Sequence, residues 1–197
     1  MTTVDYYFSV LSPFTYLAGD RLERIAAARG AAIAYKPVDV MDLFARTGGT
    51  PVKDRHPSRL AYRMQELKRL SARNGLPMNF QPAHWPTDQK PASALIVAAA
   101  MAGQDAGALT QAILRACWAE EKDVADPDTL AALADKAGID LAALQPHLEA
   151  AAAAIGPTTD EAVERGVFGV PSYVVGDEIF WGQDRLDHLD EHLGTLG

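Results

Sequence analysis

Where an apolar stretch, residues 4–8, gives way to the start of a helix, the chain reads Ser12-Pro13-Phe14-Thr15. A dithiol redox protein keeps Cys-x-x-Cys at such a junction, with a thiolate at the positive end of the helix. Here both ends of the motif carry hydroxyls, so no cycle between thiol and disulfide can run on it. A serine hydroxyl still donates one hydrogen bond, and the N–H groups of a helix start favour negative charge. The chemistry this predicts is the holding of a thiolate that another molecule brings. Each unit by which a thiol pKa falls is worth about 1.36 kcal/mol of preference for thiolate. A dipole plus a hydroxyl hydrogen bond supplies roughly one to two units. Serine is equally a favoured N-cap and proline a favoured first helical residue, so the pair also reads as a plain helix start.

Two further constellations lie near the other end. Phe168-Gly169-Val170-Pro171 forms a turn in which a cis X-Pro bond is accessible. A cis bond there leaves the Val170 backbone free to pair with a peptide-like ligand in β fashion. Gly182-Gln183-Asp184-Arg185 precedes a helix, with Asp184 as its expected cap. The same carboxylate suits an ammonium group, and Arg185 suits a carboxylate.

A basic run, Lys53, Arg55, Arg59, Arg63, Lys68, Arg69 and Arg73, stands out in an acidic chain. Arg59 and Arg63 are one helical turn apart. The run reads as a solvated helix face or as a positive wall for an anionic substrate. The histidines, His56, His84, His147, His188 and His192, have no metal-ligand spacing, so no metal site is assigned. No phosphate-binding loop and no Gly-x-Ser-x-Gly is present. Cys117 falls on an apolar stripe with Leu109, Ile113, Leu114 and Trp118, so it reads as a core residue.

The elements that must position these residues follow from periodicity. Residues 4–10, 14–29 and 32–38 read as strand, helix, strand, a right-handed parallel unit. The middle reads as helices over 58–73, 91–102, 106–121, 128–137 and 140–154, with a loop over 82–88. The end reads as a short helix over 159–166, strands over 172–175 and 179–181, and a helix over 184–193. The expected fold class is α/β: a βαβ unit and a ββα unit sharing one four-stranded sheet, with a large all-helical insertion between them. The expected boundaries are 1–39 plus 157–197 for the sheet domain and 40–156 for the insertion.

With 197 residues the chain has room for a substantial core. A net charge of -8 argues against nucleic-acid and membrane-surface binding. No apolar run is long enough to span a bilayer, and no secretory leader is apparent, so a cytoplasmic location is expected.

Three motifs taken together, F-x-x-L-S-P-F-T-Y-L at the start, F-G-V-P at 168–171 and W-G-Q-D-R at 181–185, resemble one family. It is the 2-hydroxychromene-2-carboxylate isomerase family, of the kappa-class glutathione transferase group in the DsbA-like thioredoxin superfamily. The resemblance spans nearly the whole chain. It implies a thioredoxin-like fold, glutathione as cofactor, a small anionic aromatic substrate and a homodimer. It implies that the glutathione sulfur lies beside Ser12 and that Val170, before the cis Pro171, pairs with the cysteinyl backbone. Gln183, Asp184 and Arg185 would then hold the γ-glutamyl end. Arg59, standing where the family carries a lysine, is implied to join the glutathione-binding residues, and Thr50 stands where the family carries an asparagine. The implied reaction interconverts 2-hydroxychromene-2-carboxylate and trans-o-hydroxybenzylidenepyruvate by reversible thiolate addition, bond rotation and elimination. The alternative is a kappa-like transferase that conjugates glutathione to electrophiles.

Overall fold

The computed structural model describes residues 1–196. Strand β1 (Thr3–Phe8) alternates its side chains between two faces. Val4, Tyr6 and Phe8 enter one core and Tyr7 the other. Helix α1 (Pro13–Tyr16) is a single turn, and α2 (Arg21–Arg29) follows after a break. The sequence predicted one helix over 14–29. Gly19 interrupts it with a left-handed φ of +58°. The carbonyls released by the break find partners in the middle of the chain. Asn74 Nδ2 donates to Leu17 O at 2.7 Å, and Gln111 Nε2 donates to Gly19 O at 2.8 Å. Long-range side-chain donors thus replace helix continuity, which periodicity cannot reveal.

Strand β2 (Ala32–Pro37) leads into α3 (Val40–Thr47), a helix the sequence reading did not assign. Asp39 caps it, accepting from Met41 N and Asp42 N. Next come α4 (Pro57–Asn74), α5 (Lys90–Met101), α6 (Ala106–Ala119), α7 (Pro127–Lys136) and the short α8 (Leu141–Leu144). Helix α9 (Leu148–Glu164) contains Pro157 in its interior. The sequence predicted separate helices over 140–154 and 159–166, because Gly156-Pro157 is a breaking pair. Tertiary packing overrides it: Ala151, Ile155, Thr159 and Ala162 form one buried stripe across the proline. Thr159 Oγ1 also accepts from Asp39 N at 2.9 Å, tying α9 to the start of α3. The chain ends with β3 (Ser172–Val175), β4 (Glu178–Trp181) and α10 (Leu186–Thr195).

The sheet order is β2-β1-β3-β4. β1 and β2 are parallel, with Tyr6 opposite Tyr35. β3 is antiparallel to both β1 and β4, with Ser172 opposite Tyr7 and Trp181. The larger core joins Tyr6, Phe8 and Tyr173 of the sheet to Ile96, Ile113 and Trp118 of α5 and α6. The smaller core packs Tyr7 and Val174 against Leu43, Ala162 and Val167. The C-terminal end of β1 and the N-terminal end of β3 therefore meet at one end of the sheet, between the two helical layers.

Candidate functional site

At that end of the sheet, β1 runs into a tight descent to Ser12. Ser9 is buried, and its hydroxyl donates to Gln89 Oε1 at 2.6 Å while accepting from Leu11 N at 3.1 Å. Gln89 Nε2 in turn donates to Val38 O. The next two carbonyls each accept an indole N–H from the helical region. Trp118 Nε1 donates to Val10 O and Trp85 Nε1 to Leu11 O, both at 3.0 Å. Three consecutive residues, Ser9, Val10 and Leu11, are thus held from outside.

Ser12 caps α1 as expected. Its Oγ accepts from Thr15 N at 3.3 Å and stands 3.5 Å from Val170 O. The second distance is at the outer limit of hydrogen bonding. The hydroxyl proton is therefore weakly engaged, while the Thr15 amide fixes the oxygen. Because α1 has only one turn, its dipole offers little beyond local N–H groups. The hydroxyl carries more of any thiolate stabilisation than the expected long helix implied. Thr15 is fully buried, and its Oγ1 has no hydrogen-bond partner among the described residues. A buried hydroxyl with a spare donor, one turn from Ser12, is a second polar group at the same place.

The Val170–Pro171 peptide bond is cis. Pro171 O accepts from Gly182 N at 2.8 Å, which brings the end of β4 against the turn. Gly182 has a φ of +107°, a conformation that suits glycine. A Cβ there would lie 2.6 Å from Asp184 Oδ1. The chain then forms a 3-10 turn, Gln183–Arg185, before α10 begins. The expectation that Asp184 caps that helix is corrected. The N-cap position is Arg185, and it has no side-chain cap bond. Asp184 Oδ2 instead accepts from Arg185 Nη1 at 2.8 Å, with both side chains about half exposed. Gln183 is buried, and its carbonyl accepts from Arg21 Nη1.

Ser12, Val170, Pro171, Gln183, Asp184 and Arg185 form one cluster through these contacts. Arg59 does not join it by any hydrogen bond or ion pair among the described residues. It lies exposed near the start of α4, and Arg55 is a charged neighbour both of it and of Arg63. Thr50 contributes its carbonyl, which accepts from Arg55 Nε at 2.8 Å. The sequence reading missed Ser9, Trp85, Gln89 and Trp118 as positioning residues. Trp85-Pro86 was visible as loop punctuation, but nothing local shows which carbonyl an indole will find.

Cys117 is buried, and burial followed by the nearby Asp123 and Glu121 pushes its thiol up to about 12. It is inert packing, remote from thiol chemistry. No helix among the described residues is long and apolar enough to cross a membrane.

The fold and the cluster define a thioredoxin-type protein in which hydroxyl side chains replace the redox pair. Residues 3–194 match the DSBA-like thioredoxin domain family. The chain is 33% identical over 195 residues to a 2-hydroxychromene-2-carboxylate isomerase of Sphingobium xenophagum, covering 97% of each chain. It superposes on a solved 2-hydroxychromene-2-carboxylate isomerase with a TM-score of 0.78 at 32% identity, over 98% of this chain and 95% of that one. Glutathione S-transferase kappa 1 of Homo sapiens is 26% identical over 211 residues, covering 98% of this chain and 91% of its own. The chain belongs to the DSBA-like thioredoxin family and, within it, to the group of 2-hydroxychromene-2-carboxylate isomerases.

Proposed function

We propose that this protein is a glutathione-dependent isomerase that interconverts 2-hydroxychromene-2-carboxylate and trans-o-hydroxybenzylidenepyruvate. The observation that carries the reading is the meeting of the Ser12 hydroxyl with the Val170 carbonyl at the cis-proline turn. The residues fit glutathione. Ser12 offers a donor for a sulfur, Val170 offers a peptide edge, and Asp184 and Arg185 offer both charges for an amino-acid end. When bound, glutathione supplies a sulfur nucleophile that is returned at the end of an isomerisation.

The chain's own contribution is placement and charge stabilisation. Ser12 turns its weakly held O–H from Val170 O towards the sulfur and lowers its proton affinity. Thr15 N keeps the Ser12 oxygen in place during that turn. The indoles of Trp85 and Trp118 keep the loop from following the proton. Ser12 is therefore a donor to a nucleophile and makes no covalent bond itself.

The test pairs two measurements. Glutathione should raise the melting temperature and show thiolate ultraviolet absorbance near neutral pH. Chromene substrate should then isomerise with no net loss of glutathione. The kappa-class relative favours a second reading, conjugation of glutathione to an electrophile. Stoichiometric consumption of glutathione would select that reading over the first, and absence of any glutathione response would sink both.

A further inference from the structure

Elsewhere among the described residues most arginines find carboxylates, Arg73 being the exception. Arg21 pairs with Asp187, Arg29 with Asp190, Arg46 with Asp160, Arg115 with Glu120 and Arg165 with Asp5. Arg55, Arg59 and Arg63 pair with none among the described residues, although the chain carries a net charge of -8. Asp54, next to Arg55 in sequence, makes no ion pair with it. Three uncompensated guanidinium groups beside one another repel, and a fold keeps such an arrangement at a cost.

These groups are also positioned. Arg55 is held at its Nε by Thr50 O, and its guanidinium lies 6.0 Å above the centre of the Phe44 ring. Phe44 is held in turn, since Gly49 lies so close that a Cβ would stand 2.3 Å from its ring. Arg59 and Arg63 occupy successive turns at the start of α4, with Pro57 in the first turn. Neither Leu60 nor Met64 of these turns belongs to the core clusters, so this end of α4 is not committed to packing. Burial, and then a neighbouring guanidinium, lower the pKa of both Arg55 and Arg63 from the ordinary arginine value. An anion arriving there relieves that repulsion and receives planar, forked donors suited to a carboxylate.

We infer that Arg55 and Arg63, with Arg59 beside Arg55, form a carboxylate site that selects an anionic second substrate. The inference rests on the proposed function for the identity of that substrate, a small aromatic carboxylate. Its two new members, Arg55 and Arg63, are specificity-determining residues distinct from the Ser12 and Asp184 cluster.

Two unreactive probes of nearly equal shape, trans-cinnamate and trans-cinnamamide, isolate the charge. Calorimetric titration of the wild-type chain should show the acid binding roughly tenfold or more tightly than the amide. Added salt should reduce that preference. The double variant R55Q/R63Q should bring it close to one, and R55K/R63K should restore part of it. Far-ultraviolet circular dichroism and a melting curve establish that each variant is folded. Absence of cinnamate binding to the wild type, equal binding of acid and amide, or an undiminished preference in R55Q/R63Q would overturn the inference. Glutathione thiolate absorbance, read separately, reports on the proposed function. Its absence would sink that proposal while a cinnamate preference lost in R55Q/R63Q still upheld the carboxylate site.

Discussion

At the residue scale, Ser12 does two jobs with two parts of one hydroxyl. The oxygen accepts from Thr15 N, and the proton reaches loosely towards Val170 O. Ser12→Ala should therefore cost about 1 kcal/mol of stability through the lost cap. The same change should raise the pKa of bound glutathione and lower kcat at least tenfold, read by spectrophotometric titration and by substrate turnover. An unchanged glutathione pKa would remove Ser12 from the role assigned to it. Cys117 gives a contrasting prediction. With its thiol pushed up to about 12, native protein near pH 8 should resist iodoacetamide, while denatured protein should label fully. Ser12, Val170 and Pro171 were legible in the sequence because capping and X-Pro chemistry are local. Asp184 as a helix cap was misread, because the φ of +107° at Gly182 sends the chain into a 3-10 turn first. Gly182→Ala should cost about 1–3 kcal/mol and displace the Asp184 carboxylate. The checks are a chemical denaturation midpoint and a weakened response to glutathione.

At the scale of elements, the sequence resolved most helices of the middle region and both strand pairs. It misjudged the two places where distant side chains decide. Periodicity over 14–29 is continuous, yet the backbone breaks at Gly19 because Asn74 and Gln111 take the released carbonyls. Gly156-Pro157 is a local stop signal, yet α9 runs through it because its buried stripe packs on both sides. Helix α3 was missed although Asp39 and Gly48 mark its ends. The indole contacts make an element-scale prediction. Trp118→Phe keeps the aromatic packing but leaves Val10 O without its donor in a buried place. It should cost about 1–3 kcal/mol, visible as a lower denaturation midpoint. If the indole positions Ser12, kcat should fall while KM for glutathione changes little. A variant that lost stability alone would restrict Trp118 to a structural role.

For the whole molecule, buried and half-buried charges tie remote segments together. Lys36 bridges Asp5 and Glu161, Arg165 meets Asp5, and Tyr7 Oη donates to Glu161, joining β1, β2 and α9. On the opposite face of the sheet, Glu23 accepts from Tyr35 Oη at 3.2 Å, while its Oε2 is buried without a partner among the described residues. Burial pushes its pKa up from the ordinary 4.5, so folding favours its protonated form. The stability this group supplies is complete below that ordinary value and is lost as pH rises through the raised folded value. Glu23→Gln should therefore melt higher than the parent at about pH 7.5, with the gain closing towards about pH 4. Parallel melting curves across that range test it, and a gain independent of pH would point to packing instead. Overall class was legible because strand and helix signals come in the right order, whereas partners 74 and 108 residues apart were not. Those two separations have a practical meaning. Anyone transplanting the Ser12 loop into a smaller scaffold would have to carry Trp85 and Trp118 with it. Without them the donor would be copied in name while the two carbonyls that aim it swung free.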